Sequence, residues 1–277
     1  MTPIYIEYNF KVTPLQPGTE ILIAELGYAG FESFVETSEG VKAYIQKGDW
    51  RESILDEIQI LKSDEFQITF KKKEIEQVNW NAEWEKNFDP ILVDDTCVVR
   101  APFHDPFQVT YEIVIEPKMS FGTGHHETTY MMLQYILENE FEGKRVLDMG
   151  CGTSVLAILA EMRGAIDLDA IDIDEWCVEN SIENCSRNDC QNITVLKGGA
   201  EVIPKKKYDT IIANINRNIL LNDLETYVSV LKKGGELYLS GFYAEDLDLM
   251  KDACNKLGLK FVDNKLKNNW IATKFVN

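Results

Sequence analysis

The chain has 277 residues, of which 45% are hydrophobic and 10% aromatic, and its formal net charge at pH 7 is −18. This length and composition predict a soluble globular protein of roughly two domains. The acidic excess argues against nucleic acid as a direct partner, because phosphate binding needs clustered lysine and arginine. The first residues have neither the basic nor the apolar region of a signal peptide, and no apolar run reaches the roughly 18 residues of a membrane span.

The six cysteines include no C-x-x-C pair, and there are only three histidines. The sequence therefore predicts no metal site and favours reduced thiols, which are the rule in the cytoplasm. We expect a cytoplasmic protein without a membrane partner. The sequence gives no oligomeric state, and a monomer is the default expectation.

Residues 1–73 predict an α+β domain from alternating and helical apolar patterns. In chain order the predicted elements are strand 4–12, helix 18–28, strands 31–36 and 41–46, helix 50–62 and strand 66–72. This β-α-β-β-α-β order is the ferredoxin-like split βαβ arrangement. Such a domain alone does not specify a function, so substrate recognition, dimerisation and regulation all remain open.

Residues 74–90 predict a linker helix, in which Trp80 and Trp84 have the i, i+4 spacing of a packing stripe. The segment 74–144 holds 14 acidic and 4 basic residues, which is more than half of the acidic excess. This charge is typical of a solvated acidic face, or of a surface that attracts a basic polypeptide.

Residues 91–116 predict short strands, and a Gly-Thr-Gly loop follows at 122–124. Such a loop is equally typical of a phosphate loop, a lid and a plain turn. His125 and His126 are predicted to be surface or helix-capping histidines. A helix with apolar residues on one face is predicted from Thr129 onward.

The segment Arg145–Ser154, RVLDMGCGTS, predicts a buried strand that ends in a glycine turn and a helix N-terminus. Gly150 and Gly152 allow the backbone to approach a ligand, and the N–H groups of the helix point towards it. A second apolar strand ends about twenty residues later in Asp172, where a carboxylate can accept hydrogen bonds from a ribose diol. This segment therefore predicts a nucleoside-containing ligand.

The later elements continue the strand–helix alternation of an open α/β sheet. They are helix 174–188, strands 192–197, 208–214 and 236–241, helix 243–256, and strands 259–263 and 269–275. The strand at 208–214 ends in Asn214, and ligands of such sheets lie beyond the carboxyl ends of the strands. Asn214 is therefore a site candidate; the alternative is that it starts the next helix.

Two other interpretations of the glycine turn have less support. A dinucleotide motif G-x-G-x-x-G needs glycine at 155, where the chain has Val155. Cys151 lies inside the turn, but no base is evident for a nucleophile, and a small buried residue is the interpretation that we prefer.

Asp148 followed by G-x-G resembles the first motif of class I S-adenosylmethionine (AdoMet) methyltransferases, which usually have glycine where Ser154 stands here. Four motifs, F-G-T-G-H-H-E-T-T, L-D-M-G-C-G-T-S, D-I-D and A-N-I-N, are together similar to the bacterial methyltransferases of L11, the stalk-base protein of the large ribosomal subunit. The likeness covers most of the chain. The usual A-N-I-L of that family is A-N-I-N here, so Asn216 departs from the pattern.

The resemblance implies a Rossmann-like doubly wound α/β catalytic domain at 91–277, a substrate-recognition domain at 1–73 and the linker helix at 74–90. It implies AdoMet as cofactor, and its implied contacts are Thr129, Gly150, Gly152, Asp172 and Asn214. Asn214 is the implied catalytic residue, which orients the amine or the ligand through its amide. The implied reaction is N-methylation of lysine side chains, of the N-terminal α-amine, or of both, in a basic ribosomal protein.

Two alternatives remain open at the level of sequence. One is a methyltransferase for another protein, for a glutamine side chain or for a small molecule. The tip Asn214-Ile215-Asn216 counts against the glutamine case, since glutamine and adenine N-methylases resemble one another in an N-P-P-Y-like tip. The other is a non-catalytic AdoMet-fold module that binds a basic partner.

Overall fold

The computed structural model describes residues 4–75, 88–118 and 120–277. The chain divides into two compact units, Met1–Asn87 and Phe88–Asn277. This division falls inside the stretch 74–90 that the sequence assigns to a linker. Most of the predicted linker helix, with Trp80 and Trp84, lies outside the described residues.

The first unit contains a four-stranded sheet of order β2-β3-β1-β4, in which all neighbouring strands are antiparallel. Its elements are β1 (Tyr5–Thr13), α1 (Leu15–Tyr28), β2 (Ser33–Thr37), β3 (Gly40–Gln46) and β4 (Gln67–Ile75). This strand order is that of the ferredoxin-like arrangement. Alternate residues of β1, including Tyr8 and Phe10, are buried in the core that this unit forms with α1.

The predicted helix 50–62 is not an α-helix. Two short 3₁₀-helices, Ile54–Glu57 and Ile60–Lys62, replace it, because Ile58 between them is extended with φ −85° and ψ 109°. The N–H groups of Gln59 and Ile60 donate to Oε2 of Glu25 on α1, at 2.5 and 3.1 Å. This long-range carboxylate replaces the backbone partners that an α-helix would have supplied.

The second unit is built on a seven-stranded sheet of order β10-β9-β8-β11-β12-β14-β13. Its strands are β8 (Arg145–Met149), β9 (Asp167–Asp172), β10 (Ile193–Lys197), β11 (Tyr208–Asn214), β12 (Leu231–Tyr243), β13 (Lys260–Lys267) and β14 (Trp270–Val276). The first five strands in the spatial order are parallel, and β14 is antiparallel to both of its neighbours, β12 and β13. Its helices are α2 (Glu127–Glu138), α3 (Val155–Met162), α4 (Glu175–Arg187), α5 (Arg217–Val230) and α6 (Leu247–Lys256).

Both faces of this sheet are buried, which explains why its central strands contain consecutive buried apolar residues. Val146 and Ile212 face the cluster that contains α2 and α3, whereas their neighbours Leu147 and Ile211 face the cluster that contains α5 and α6. This is the doubly wound α/β fold that the sequence predicts. Among the described residues, no helix is both long and apolar enough to cross a membrane.

A small sheet of β5 (Ile91–Val93), β6 (Cys97–Arg100) and β7 (Tyr111–Val114) is attached to α4 by side-chain amides. Asn188 accepts from the N–H of Val114 and donates to its carbonyl, both at 2.8 Å. Asn184 accepts from the N–H of Glu116 at 2.9 Å, and Asn180 donates to its carbonyl at 3.3 Å. Successive asparagines are four residues apart, a rise of about 6 Å along a helix, and Val114 and Glu116 are two residues apart, about 6.6 Å along an extended chain. The spacing of the amides therefore matches the spacing of the backbone groups that they bind.

Candidate active site

A cavity of about 590 Å³ lies at the carboxyl ends of the parallel strands of the second unit. The strand order reverses there, because β8 lies between β9 and β11, and open α/β sheets bind ligands at such a point. The volume is within the roughly 300–1,000 Å³ typical of small-molecule sites. The lining residues are Phe121, His126, Thr128, Met149, Gly150, Gly152, Ile171, Asp172, Ile173, Asp174, Trp176, Cys177, Gly198, Gly199, Asn214, Ile215, Asn216, Ile219, Asp223, Gly241 and Trp270.

The glycine turn forms one wall of the cavity. Gly150 and Gly152 have φ of +67° and +55°, a region that glycine adopts without steric cost. A Cβ atom at 152 would overlap the carbonyl oxygen of Phe121 and lie 3.1 Å from its carbonyl carbon. The loop at 121–126 therefore packs directly on the turn.

Asp172 ends β9 at the cavity and is 8% exposed. Its Oδ2 accepts a hydrogen bond from the N–H of Gly152 at 2.9 Å, and its Oδ1 accepts from the N–H of Asp174 at 3.0 Å. An ionised carboxylate has about four acceptor positions. The carboxylate is thus held by two backbone groups and retains acceptor capacity for the two hydroxyls of a ribose.

Asn214 ends β11 and lines the same cavity. Its Nδ2 donates to Oγ1 of Thr129 at 3.4 Å, whereas its Oδ1 is buried and has no hydrogen-bond partner among the described residues. Thr129 is 1% exposed and is not a lining residue, although its neighbour Thr128 is. Thr129 therefore does not line the cavity itself but contacts Asn214, which does.

His126 lies at the N-cap of α2, as predicted for a capping histidine. Its Nδ1 accepts from the N–H of Thr128 at 3.3 Å and lies 2.8 Å from the Thr128 hydroxyl. The ring makes edge contacts with Phe121 and Trp270, at centroid distances of 5.2 and 4.7 Å.

Two buried titratable groups lie beneath the turn. Asp148 is 1% exposed and accepts from the N–H of Ala157 at 3.2 Å. Burial raises the pKa of Asp148 to about 7, and the nearby charge of Asp172 adds to this effect. Burial also raises the pKa of the Cys151 thiol well above its ordinary value, which makes Cys151 a packing residue rather than a nucleophile.

Ser154 and Asn216, the two residues that depart from the family pattern, each form a hydrogen bond with a nearby residue. Ser154 has φ of +62°, the left-handed conformation that glycine adopts easily, and its hydroxyl is hydrogen-bonded to that of Ser181. Asn216 is the N-cap of α5, where its side chain accepts from the N–H of Asn218 at 2.9 Å.

Sequence reasoning missed several parts of the cavity. Among them are the glycine pair Gly198–Gly199 that follows β10, Gly241 inside β12, and Trp270 at the start of β14. The glycine pair directly after a predicted strand was a usable signal. Trp270 reaches the cavity only through the pairing of β14 with β12, which no local pattern specifies.

The fold and the cavity together define a class I AdoMet-dependent methyltransferase. The described residues fit this cofactor, since they offer a turn of glycine backbone, a carboxylate with spare acceptor capacity and a buried unpartnered amide oxygen. A family model described as ribosomal protein L11 methyltransferase (PrmA) matches residues 20–277. The chain belongs to the ribosomal protein L11 methyltransferase family.

Individual relatives agree with this family over nearly the whole chain. The ribosomal protein L11 methyltransferase of Bacteroides thetaiotaomicron is 50% identical and covers 98% of this chain and 99% of its own length. That of Porphyromonas gingivalis is 44% identical, with coverages of 98% and 97%. A crystal structure of ribosomal protein L11 methylase from Lactobacillus delbrueckii subsp. bulgaricus has a TM-score of 0.63 at 24% identity, covers 68% of this chain and 98% of that chain, and shares the fold.

Proposed function

We propose that the enzyme methylates lysine ε-amines, the N-terminal α-amine, or both, of ribosomal protein L11. The observation that carries the amine chemistry is the buried Oδ1 of Asn214, a cavity-lining acceptor for which the described part of the chain offers no hydrogen-bond partner. The identity of the substrate rests on the full-length relatives, which are named for L11. The formal charge of −18 favours a basic polypeptide as partner.

In the proposed mechanism Asn214 orients the nucleophile. Its Oδ1 accepts an N–H from the neutral amine, so that the amine lone pair points into the cavity. When bound, AdoMet supplies an electrophilic methyl group on a sulfonium centre. Asn214 would direct the amine lone pair at this methyl group, and the methylated nitrogen would release its surplus proton to water.

The amine must first lose its own proton. The Nδ1 of His126 accepts the N–H of Thr128 at the N-cap of α2, so this nitrogen is engaged in the helix cap. We propose that the apolar part of the cavity mouth lowers the pKa of the entering lysine, since burial disfavours its charged form. Orientation then contributes to the rate enhancement, by up to about 7–11 kcal/mol in ideal intramolecular cases.

The remaining site assignments are part of the same proposal. Asp172 binds the ribose, and the backbone of Gly150 and Gly152 lies beside the methionine end of the cofactor. The first unit binds the protein substrate. The reaction takes place in the cytoplasm, where free thiols are the rule, and all six cysteines here are free.

The test is incubation of the purified full-length chain with unmodified recombinant L11 and isotopically labelled AdoMet, followed by peptide mass spectrometry. We expect label on lysines or on the α-amine, and none with Asn214→Ala. Transfer to glutamine, or to other proteins but not to L11, would support the alternative substrates. AdoMet binding without transfer to any of them would support a non-catalytic module.

A further inference from the structure

Ile215, the residue after β11, lies between two glycines, one that follows a neighbouring strand and one within the other neighbouring strand. β11 is flanked by β8 and β12 in the sheet. Gly150 follows β8 directly and Gly241 lies within β12, and both have positive φ, of +67° and +96°. Both glycines and Ile215 line the cavity.

Each glycine is in contact with Ile215, but with a different part of it. A Cβ atom at 150 would overlap Cγ2 of the Ile215 side chain and lie 3.4 Å from its Cβ. A Cβ atom at 241 would overlap the Ile215 carbonyl oxygen and lie 2.8 Å from the carbonyl carbon and 3.0 Å from the nitrogen. Gly241 can come this close because the register of β12 with β14 shifts between Ser240 and Phe242, which makes a bulge there.

We infer that the notch formed by Gly150, Ile215 and Gly241 positions the amide of Asn214, and that Gly241 is a positioning residue for methyl transfer. Asn214 is bonded directly to Ile215, so a shift of the Ile215 backbone moves the amide that precedes it. The role of Asn214 in this inference rests on the proposed function. The contacts that form the notch do not depend on it.

Truncation of the Ile215 side chain allows the roles of Gly150 and Gly241 to be tested separately. If Gly150 is glycine only because the cofactor approaches it, then truncating Ile215 has no effect on the cost of adding a methyl group at 150. If the notch is the reason, Ile215→Ala removes the atom that the new methyl group would overlap. At Gly241 the obstacle is the backbone of Ile215, so the same truncation gives no relief.

The first experiment is a double-mutant cycle with Gly150→Ala, Ile215→Ala and the double variant, in which AdoMet affinity is measured by calorimetry. We expect Gly150→Ala to weaken binding at least about tenfold in the parent, and by a factor at least about threefold smaller in the Ile215→Ala background. An equal loss in both backgrounds would overturn the notch. This readout needs no L11, so it stands even if the proposed substrate is wrong.

The second experiment compares Gly241→Ala with Gly234→Ala. Gly234 is a matched control in the same strand, because its φ is +75° and a Cβ there meets no atom within 4 Å. Both variants place a Cβ at positive φ, but only the one at 241 also meets backbone, so we expect Gly241→Ala to lose more thermal stability than Gly234→Ala. We expect only Gly241→Ala to lower kcat for L11, by about 100-fold for a misplacement near 1 Å. Equal kcat values would refute the role of Gly241, and if Gly241→Ala does not fold, the cycle at Gly150 decides.

Discussion

The N–H of Gly152 donates a 2.9 Å hydrogen bond to Oδ2 of Asp172, which joins the glycine turn after β8 to the carboxylate that ends β9. The two motif residues are twenty positions apart in sequence and form one unit at the cavity. The same carboxylate is thus a structural acceptor and the proposed ribose ligand, so its removal affects both roles.

We expect Asp172→Ala to weaken AdoMet binding at least about tenfold, because hydrogen bonds to charged groups contribute about 1.5–3 kcal/mol each. Asp167→Ala is the matched control, since Asp167 begins the same strand and pairs with Lys206 away from the cavity. In calorimetry, the Asp167→Ala variant should bind AdoMet with the same affinity as the parent. An unchanged affinity in Asp172→Ala would show that the carboxylate is misassigned.

Thr129 should act through the amide of Asn214. Thr129→Val keeps the shape but loses the hydroxyl that accepts from Nδ2, so we expect kcat to fall roughly three- to tenfold, the value of one neutral hydrogen bond. Thr129→Ser should retain the parent kcat. Steady-state kinetics with L11 and AdoMet test this, and equal rates for the valine and serine variants would contradict it.

Ser154 offers a stability test of backbone strain. It is the N-cap of α3 and has left-handed φ, where a Cβ costs about 1–2 kcal/mol. Both Ser154→Gly and Ser154→Ala lose the hydrogen bond to Ser181, and only glycine relieves the strain. We expect the glycine variant to have the higher free energy of unfolding in urea titrations; the reverse order would rule out strain at this position.

The buried carboxyl of Asp148 predicts a specific pH dependence. Its folded-state pKa of about 7 exceeds that of the unfolded chain, so the folded state binds more protons and this residue makes stability fall as pH rises from about 4 to about 7. Asp148→Asn keeps an oxygen acceptor for the N–H of Ala157 but does not titrate. Urea unfolding at about pH 5 and about pH 8 should show a smaller fall in the variant than in the parent, and identical falls would exclude Asp148 as the source.

The sequence predicts those parts of the site that local chemistry defines. The strand–glycine turn–helix at Arg145–Ser154 and the strand ends at Asp172 and Asn214 are short patterns, and the structure brings these residues to one cavity. Gly241 and Trp270 could not be found in this way, because β14 returns antiparallel beside β12 and only that pairing brings Trp270 to the cavity.

Contacts between distant elements also explain why the prediction of a helix at 50–62 is wrong. The apolar spacing there suits a helix, and Ile54 and Ile58 are buried while Leu55 and Leu61 are partly buried. However, Glu25 supplies acceptors to Gln59 and Ile60 from another element, and the chain breaks into two 3₁₀-helices. A helical pattern specifies which residues are buried more reliably than it specifies the backbone hydrogen bonds.

The asparagine amides of α4 have a consequence beyond attachment of the small sheet. They occupy the N–H and carbonyl groups of Val114 and Glu116, which are the groups that an incoming strand would pair with. A helix here takes the place of a neighbouring strand. At these two residues it protects the molecule against edge-to-edge aggregation, a hazard that most sheets limit with charge, proline or a bulge.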